Sequence, residues 1–224
     1  MIENTAERFL ILIQHPEKCR FIVSEQIKNV GFLGAIFLDL SNSKNLDIEN
    51  GRIIVKSVDV DLSTSHLIVI EQIAKSRRTR KIKSWLNIFS IKSRKYQKDI
   101  FLGLEKKGII RINHKRFLGI KYYNTQLTNP TVRDNVISEL RNIIFNEAVM
   151  NAENLIILGL IEACKMYKII CRDKKEIKVC KRKLGEILKS DLIAQGVDKV
   201  IKEMQVAIIG AVVASAVAST TSSN

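Results

Sequence analysis

The chain has 224 residues, and 37 lysines and arginines against 23 aspartates and glutamates give it a formal net charge of +14. Its 46% of hydrophobic residues is typical of a folded globular protein and excludes a disordered chain. Two prolines and ten glycines exclude a collagen-like or low-complexity chain. The charge indicates an anionic partner, which can be nucleic acid, an acidic membrane surface or an acidic protein.

The first third of the chain predicts two helices and a β-hairpin. Thr5 is the predicted cap of a first helix that ends at His15-Pro16, and a second apolar helix is predicted over residues 27–40. Asn50-Gly51 stands between two short β-rich runs, which predicts a hairpin because both turn residues of a type I′ turn need positive φ.

The middle of the chain predicts more helices and a second hairpin. Ser63 is a predicted helix cap, and Trp85 falls at helical spacing with other apolar residues, so we expect its ring in the core. A helix over residues 93–107 should end at Gly108, followed by a hairpin with a polar turn near His114-Lys115-Arg116. Asn129-Pro130 should begin the next helix.

The predicted fold is mainly α, a compact single-domain helical bundle with two small β-hairpins. We expect one domain over residues 1–219 and a disordered polar tail over residues 220–224. The longest apolar stretch, residues 206–218, is shorter than the roughly 20 residues that span a bilayer. Its small side chains allow close backbone approach, so we expect a buried central helix.

No motif indicates catalysis, so we expect no enzyme, no catalytic residues and no cofactor. The four cysteines, Cys19, Cys164, Cys171 and Cys180, contain no Cys-x-x-Cys pair and predict no metal site. We expect reduced, mostly buried thiols in a reducing compartment, and therefore a cytoplasmic protein. His66 stands among apolar residues and is expected to be a packed imidazole rather than a base.

Residues 75–98 contain ten basic and no acidic residues, which indicates a surface that binds anions. A predicted basic membrane face comprises Arg77, Arg78, Arg80, Lys81, Lys83, Lys92 and Lys95. In the alternative, helix 93–107 and the following hairpin form a winged-helix nucleic-acid binder that presents Arg94, Gln97 and Lys98.

Six segments follow one another along the chain in a distinctive order: residues 9–12, 31–40 and 81–86, the helix-to-hairpin turn at 104–110, the helix entry at 123–130 and the small-residue segment 206–218. Together and in this order they resemble the Golgi phosphoprotein 3 family of phosphoinositide-binding proteins. The resemblance implies a compact helical protein that binds phosphatidylinositol 4-phosphate, on Golgi membranes in eukaryotes, as an adaptor in membrane trafficking with possible protein cargo.

The resemblance also implies a headgroup pocket, onto which five positions map. Ser24 and Leu33 stand where the family has a tryptophan and an arginine, Arg94 matches one helix arginine, Gln97 replaces the other, and Lys98 stands beside it. The family's second hairpin is used in self-association, and here it carries Phe117, Leu118 and Ile120. We therefore expect a peripheral membrane protein that forms homo-oligomers.

Overall fold

The computed structural model describes residues 2–59 and 61–188. Its α-helices are Thr5–Ile13 (α1), Glu25–Asn42 (α2), Thr64–Ala74 (α3), Ile82–Ser90 (α4), Ser93–Lys106 (α5), Pro130–Asn146 (α6), Ala152–Ala163 (α7) and Lys174–Ile187 (α8). Two antiparallel hairpins join Leu46–Glu49 (β1) to Arg52–Val55 (β2) and Ile110–Phe117 (β3) to Ile120–Leu127 (β4). The predicted mainly α fold with two small hairpins is therefore confirmed.

Short polar side chains begin most of these helices, because they accept the N–H groups that the first helical turn leaves unpaired. The cap of α1 is Asn4, whose side chain accepts the Glu7 N–H, so the prediction that Thr5 is the cap was wrong by one residue. Asn129 caps α6 with Pro130 as its first residue, as predicted.

The core is built around α1, in which every residue is buried, and around the similarly apolar α2 and α7. Gly31 allows α2 to lie against α1, since a Cβ at this position would stand 2.2 Å from the Phe9 Cζ. Trp85 is buried, as predicted, and its ring stacks on Phe89 with the centroids 5.4 Å apart.

The two hairpins differ in how well the sequence predicted their turns. Asn50 and Gly51 form the first turn with φ of 51° and 71°, as predicted. The second turn is not at His114-Lys115-Arg116, which lie within β3. It is formed by Leu118 and Gly119, both at positive φ, between the paired residues Phe117 and Ile120. Gly119 suits this conformation, whereas a leucine rarely adopts it, and this is why the sequence did not indicate the turn.

Two predictions concern residues outside the described part of the chain. They are the small-residue helix over 206–218 and the boundary between a domain ending at 219 and the tail 220–224. No helix within residues 2–59 and 61–188 combines the length and hydropathy that a bilayer-crossing segment requires.

Candidate anionic-ligand site

A cavity of about 480 Å³ lies between the α1–α2 connection, α5 and β4. Three cationic side chains line it: Arg20 from the connection, Lys28 from α2 and Arg94 from α5. Glu25 lines it as well, and its carboxylate lies 2.9 Å from the Lys28 Nζ. The cavity therefore carries a net positive charge, which favours an anionic ligand.

Arg94 is the cation best placed to bind such a ligand. Its side chain is exposed, and no hydrogen bond or ion pair engages its guanidinium within residues 2–59 and 61–188. Burial raises the pKa of the neighbouring Tyr123, while the positive charge of Arg94 opposes that rise. An unpaired guanidinium has five N–H donors in a planar fork, which matches the oxygens of a phosphate.

Aromatic rings form one wall of the cavity. Phe21 stacks on Phe101 with the ring centroids 6.1 Å apart, and Phe101 meets Tyr123 edge to face at the same distance. The Lys28 ammonium lies 4.7 Å from the centre of the Phe21 ring. An apolar wall beside cations suits a ligand with a charged group and a less polar body, such as a phosphorylated ring.

The connection that supplies Arg20 and Phe21 is fixed by Gln14. The Gln14 Nε2 donates to the Arg20 carbonyl at 3.0 Å and to the Thr125 carbonyl at 2.8 Å. The Thr125 hydroxyl donates in turn to Gln14 Oε1 at 2.7 Å. Since both side chains are buried, these bonds hold the connection against β4 and give the cavity a defined rim.

The structure brings only two of the five predicted headgroup residues to the cavity, Arg94 and Gln97. Ser24 is the cap of α2, where its hydroxyl accepts the Ile27 N–H, and it does not line the cavity. Leu33 is buried completely in the core and cannot contact a ligand. Lys98 is exposed on α5 outside the cavity lining.

Two cavity cations, Arg20 and Lys28, were missed from the sequence. Arg20 lies in an irregular connection, where no periodicity indicates the direction of a side chain. Lys28 lies four residues after the Ser24 cap, and its burial beside Phe21 depends on a contact between the connection and α2.

The residues of the predicted basic face lie in three places. Arg77, Arg78 and Arg80 lie in the connection between α3 and α4, Lys81 and Lys83 lie at the start of α4, and Lys92 and Lys95 lie around the start of α5. Arg80 is partly buried with its guanidinium 5.7 Å from the Trp85 ring. None of these seven side chains forms an ion pair with a carboxylate within residues 2–59 and 61–188.

Exposed apolar side chains accompany these unpaired cations. Ile91, between α4 and α5, is 85% exposed and stands next to Lys92, and Ile88 on α4 is also exposed. At the tip of the second hairpin, Phe117 is 66% and Leu118 85% exposed. Such a combination is typical of surfaces that meet a membrane interface or another protein.

The structure buries one of the three residues that the nucleic-acid alternative requires to contact bases. Gln97 is only 1% exposed, and its Nε2 donates to Asn29 Oδ1 at 3.0 Å. Helix α5 also buries Tyr96, Ile100 and Leu104 against the rest of the domain. Of the three residues proposed to read bases, only Arg94 and Lys98 remain exposed.

The cysteines are free thiols, and Cys164, Cys171 and Cys180 are buried, as predicted. Burial raises the pKa of Cys164 to about 12, which leaves it protonated and unreactive. Within the described residues, no group of three or more His, Cys, Asp or Glu side chains could hold a metal ion.

These features define a mainly helical domain with a cationic, aromatic-walled cavity. A model of the Golgi phosphoprotein 3 (GPP34) family matches residues 6–204, which is most of the chain. The chain therefore belongs to the Golgi phosphoprotein 3 family, as its resemblance implied. A search of curated proteins found none that matches it.

Proposed function

We propose that this protein is a peripheral membrane protein that binds an anionic phosphoinositide headgroup in the cavity between the α1–α2 connection, α5 and β4. The observation that carries the proposal is the unpaired Arg94 beside the aromatic wall of Phe21 and Phe101. Arg20 and Lys28 add positive charge, so a phosphate would meet several donors in one place.

Exposed charge outside the cavity would draw the protein to the membrane. Each lysine or arginine near an anionic surface contributes about 1 kcal/mol, screened by salt. The unpaired cations at Arg77, Arg78, Lys92 and Lys95 are available for this contact, and Ile91 could enter the interface beside them. By family membership, we propose phosphatidylinositol 4-phosphate as the lipid, a Golgi-type membrane if the organism has one, and a trafficking adaptor role with protein cargo.

The second hairpin supports a proposal of self-association. Leu118 combines high exposure with a left-handed φ of 45°, a conformation that is unfavourable for a leucine. Strained, exposed apolar residues at a turn indicate a function at that place rather than a contribution to stability. We propose that Phe117, Leu118 and Ile120 contact a second copy of the chain.

Vesicle cosedimentation tests the lipid-binding proposal. The vesicles should be neutral phosphatidylcholine, the same lipid with phosphatidylinositol 4-phosphate, and the same lipid with phosphatidylserine at matched charge. We expect binding to both anionic preparations that falls as salt rises. Equal binding to neutral vesicles would contradict the proposal, and tighter binding to duplex DNA than to any vesicle would favour the nucleic-acid alternative.

A further inference from the structure

A serine, a histidine and an aspartate form a continuous hydrogen-bonded chain at the start of α3. The Ser63 Oγ lies 2.6 Å from His66 Nδ1, and His66 Nε2 lies 3.0 Å from Asp39 Oδ2. Hydroxyl, imidazole and carboxylate in this order are the parts of an activated serine nucleophile. None of these residues lines the cationic cavity, so the group is independent of the proposed lipid site.

The aspartate determines which imidazole nitrogen can act as a base. An ionised carboxylate only accepts hydrogen bonds, so the imidazole proton lies on Nε2, facing Asp39. The lone pair of Nδ1 is then directed at the Ser63 hydroxyl, which donates to it. The Thr5 N–H donates to the same Asp39 oxygen at 3.1 Å and holds the carboxylate in place.

The His66 imidazole is shielded from solvent, whereas Ser63 is accessible. His66 is only 3% exposed, whereas Ser63 is exposed. Both line a cavity of about 370 Å³, together with Asp39, Leu62 and Ile156. A small substrate in this cavity could reach the Ser63 oxygen, while bulk water has little access to the imidazole.

Ser63 is also placed where a helix offers free N–H groups. It is the N-cap residue of α3, but its side chain makes no capping hydrogen bond. Ser24, at the same position of α2, does accept an N–H from its helix. Because the Ser63 hydroxyl turns to the imidazole instead, the first-turn amides of α3 are left to stabilise an oxyanion that forms beside Ser63.

We infer that Ser63, His66 and Asp39 form a nucleophilic site that accepts an acyl group from an ester. The Ser63 oxygen bonds to the ester carbonyl carbon as its proton passes to His66 Nδ1. The ester C–O bond then breaks, and the leaving alcohol takes the proton from the imidazole. Water attacks the acyl-serine with the same proton transfers, which releases a carboxylic acid and restores the hydroxyl.

The charge of the cavity favours neutral or cationic esters. Glu3 and Glu153 line it and pair with Lys107 and Arg8, whereas Asp61 has no ion-pair partner within residues 2–59 and 61–188, so its charge disfavours an anionic acyl group. This distinguishes it from the cationic cavity around Arg94.

A fluorophosphonate probe tests the nucleophile directly, since such reagents attach to activated serine oxygens. We expect the full chain to be labelled at Ser63 at least tenfold faster than at Ser24, which is an exposed N-cap serine without an imidazole. Ser63→Ala should lose this label. Incubation with p-nitrophenyl acetate should release p-nitrophenol repeatedly, at a rate that Ser63→Ala loses, and an anionic ester with the same leaving group should react more slowly.

Two further variants separate chemistry from folding. His66→Ala should lose the labelling, and free imidazole should restore part of it, which a purely structural role would not allow. Asp39 is a positioning residue, so Asp39→Asn should slow labelling more than Asp39→Glu, which keeps the carboxylate. Labelling of Ser63 no faster than Ser24 in the folded wild-type protein would overturn the inference, as would a His66→Ala variant that labels at the wild-type rate.

Discussion

The Gln97 amide on α5 donates to the Asn29 side chain on α2 at a distance of 3.0 Å. The Gln97 side chain is almost completely buried. Its bond to Asn29 therefore fixes the separation of the two helices where they border the cationic cavity. Arg94 lies nearly one turn earlier on α5 and is exposed, without a partner among the described residues. The same helix thus provides one residue that holds the cavity open and another that is free to bind.

We predict that Gln97→Ala lowers stability, because it removes the hydrogen bond to Asn29 at the border of the cationic cavity. Truncation removes the donor to Asn29 Oδ1, which is partly exposed, so we expect a loss of about 0.5–1.5 kcal/mol, the usual contribution of one hydrogen bond. Urea unfolding monitored by circular dichroism gives the change in free energy. An unchanged free energy in Gln97→Ala would show that the bond contributes nothing.

We predict that Gly31→Ala destabilises the fold, because the added Cβ would overlap the Phe9 ring in the contact between α1 and α2. Overpacking of this kind costs about 1–3 kcal/mol. The matched control is Gly185→Ala on α8, where nothing lies within 4 Å of the new Cβ. That variant should gain up to about 1 kcal/mol from helix propensity. Equal effects of the two substitutions on the unfolding free energy would contradict the prediction.

We predict that the ion pair between Arg141 and Glu176 stabilises the protein at neutral pH and not in strong acid. Arg141 donates two hydrogen bonds to the Glu176 carboxylate, at 2.7 and 2.9 Å, and the pKa of Glu176 is lowered to about 2. A lowered pKa means that the stabilisation is complete above the ordinary value near 4.5 and is lost as the pH falls through about 2.

The variant Glu176→Gln tests this pH dependence by thermal unfolding. Its Tm should lie below that of the wild type at pH 7, and the difference should shrink as the pH is lowered from about 4.5 towards 2. A difference in Tm that stays constant over this range would show that packing, and not the ion pair, explains the effect.

Much of the fold could be predicted from the sequence because the signals are local. Asn50-Gly51 specifies its turn through the positive φ of both residues, and Asn129-Pro130 specifies a helix start. The Leu118 turn could not be predicted, since nothing local favours a leucine at positive φ. The basic run 75–98 is evident from composition, but its division among a connection, the start of α4 and the start of α5 depends on where α4 begins and ends.

The candidate site was harder to predict because it is assembled from distant segments. Arg94 was found through the family resemblance, while Leu33, the other mapped position of an arginine, is part of the core. Arg20 and Lys28 reach the cavity through contacts of the α1–α2 connection with β4 and α2, which no spacing in the sequence reveals. Ser63 and His66 are three residues apart, so their contact can be expected from the sequence. The contact of His66 with Asp39 joins distant segments and cannot.

We predict that replacing both Phe117 and Leu118 by serine weakens self-association without unfolding the domain. Both side chains are exposed at the tip of the second hairpin, so their loss removes little apolar contact within the monomer. Sedimentation velocity over a range of concentrations should show the variant shifted towards monomer. A wild-type protein that is monomeric at the highest concentration would contradict the proposed interface.

The lipid-binding proposal is tested most directly by vesicle cosedimentation of the wild type, Arg94→Ala and Lys178→Ala at equal protein concentration. Lys178 is an exposed lysine on α8 that does not line the cavity, so its loss removes the same charge away from the site. On anionic vesicles containing phosphatidylinositol 4-phosphate, Arg94→Ala should bind about fivefold more weakly, equivalent to about 1 kcal/mol. Lys178→Ala should bind as the wild type does. Equal losses in both variants would contradict a site at Arg94 and leave only a diffuse attraction of charge.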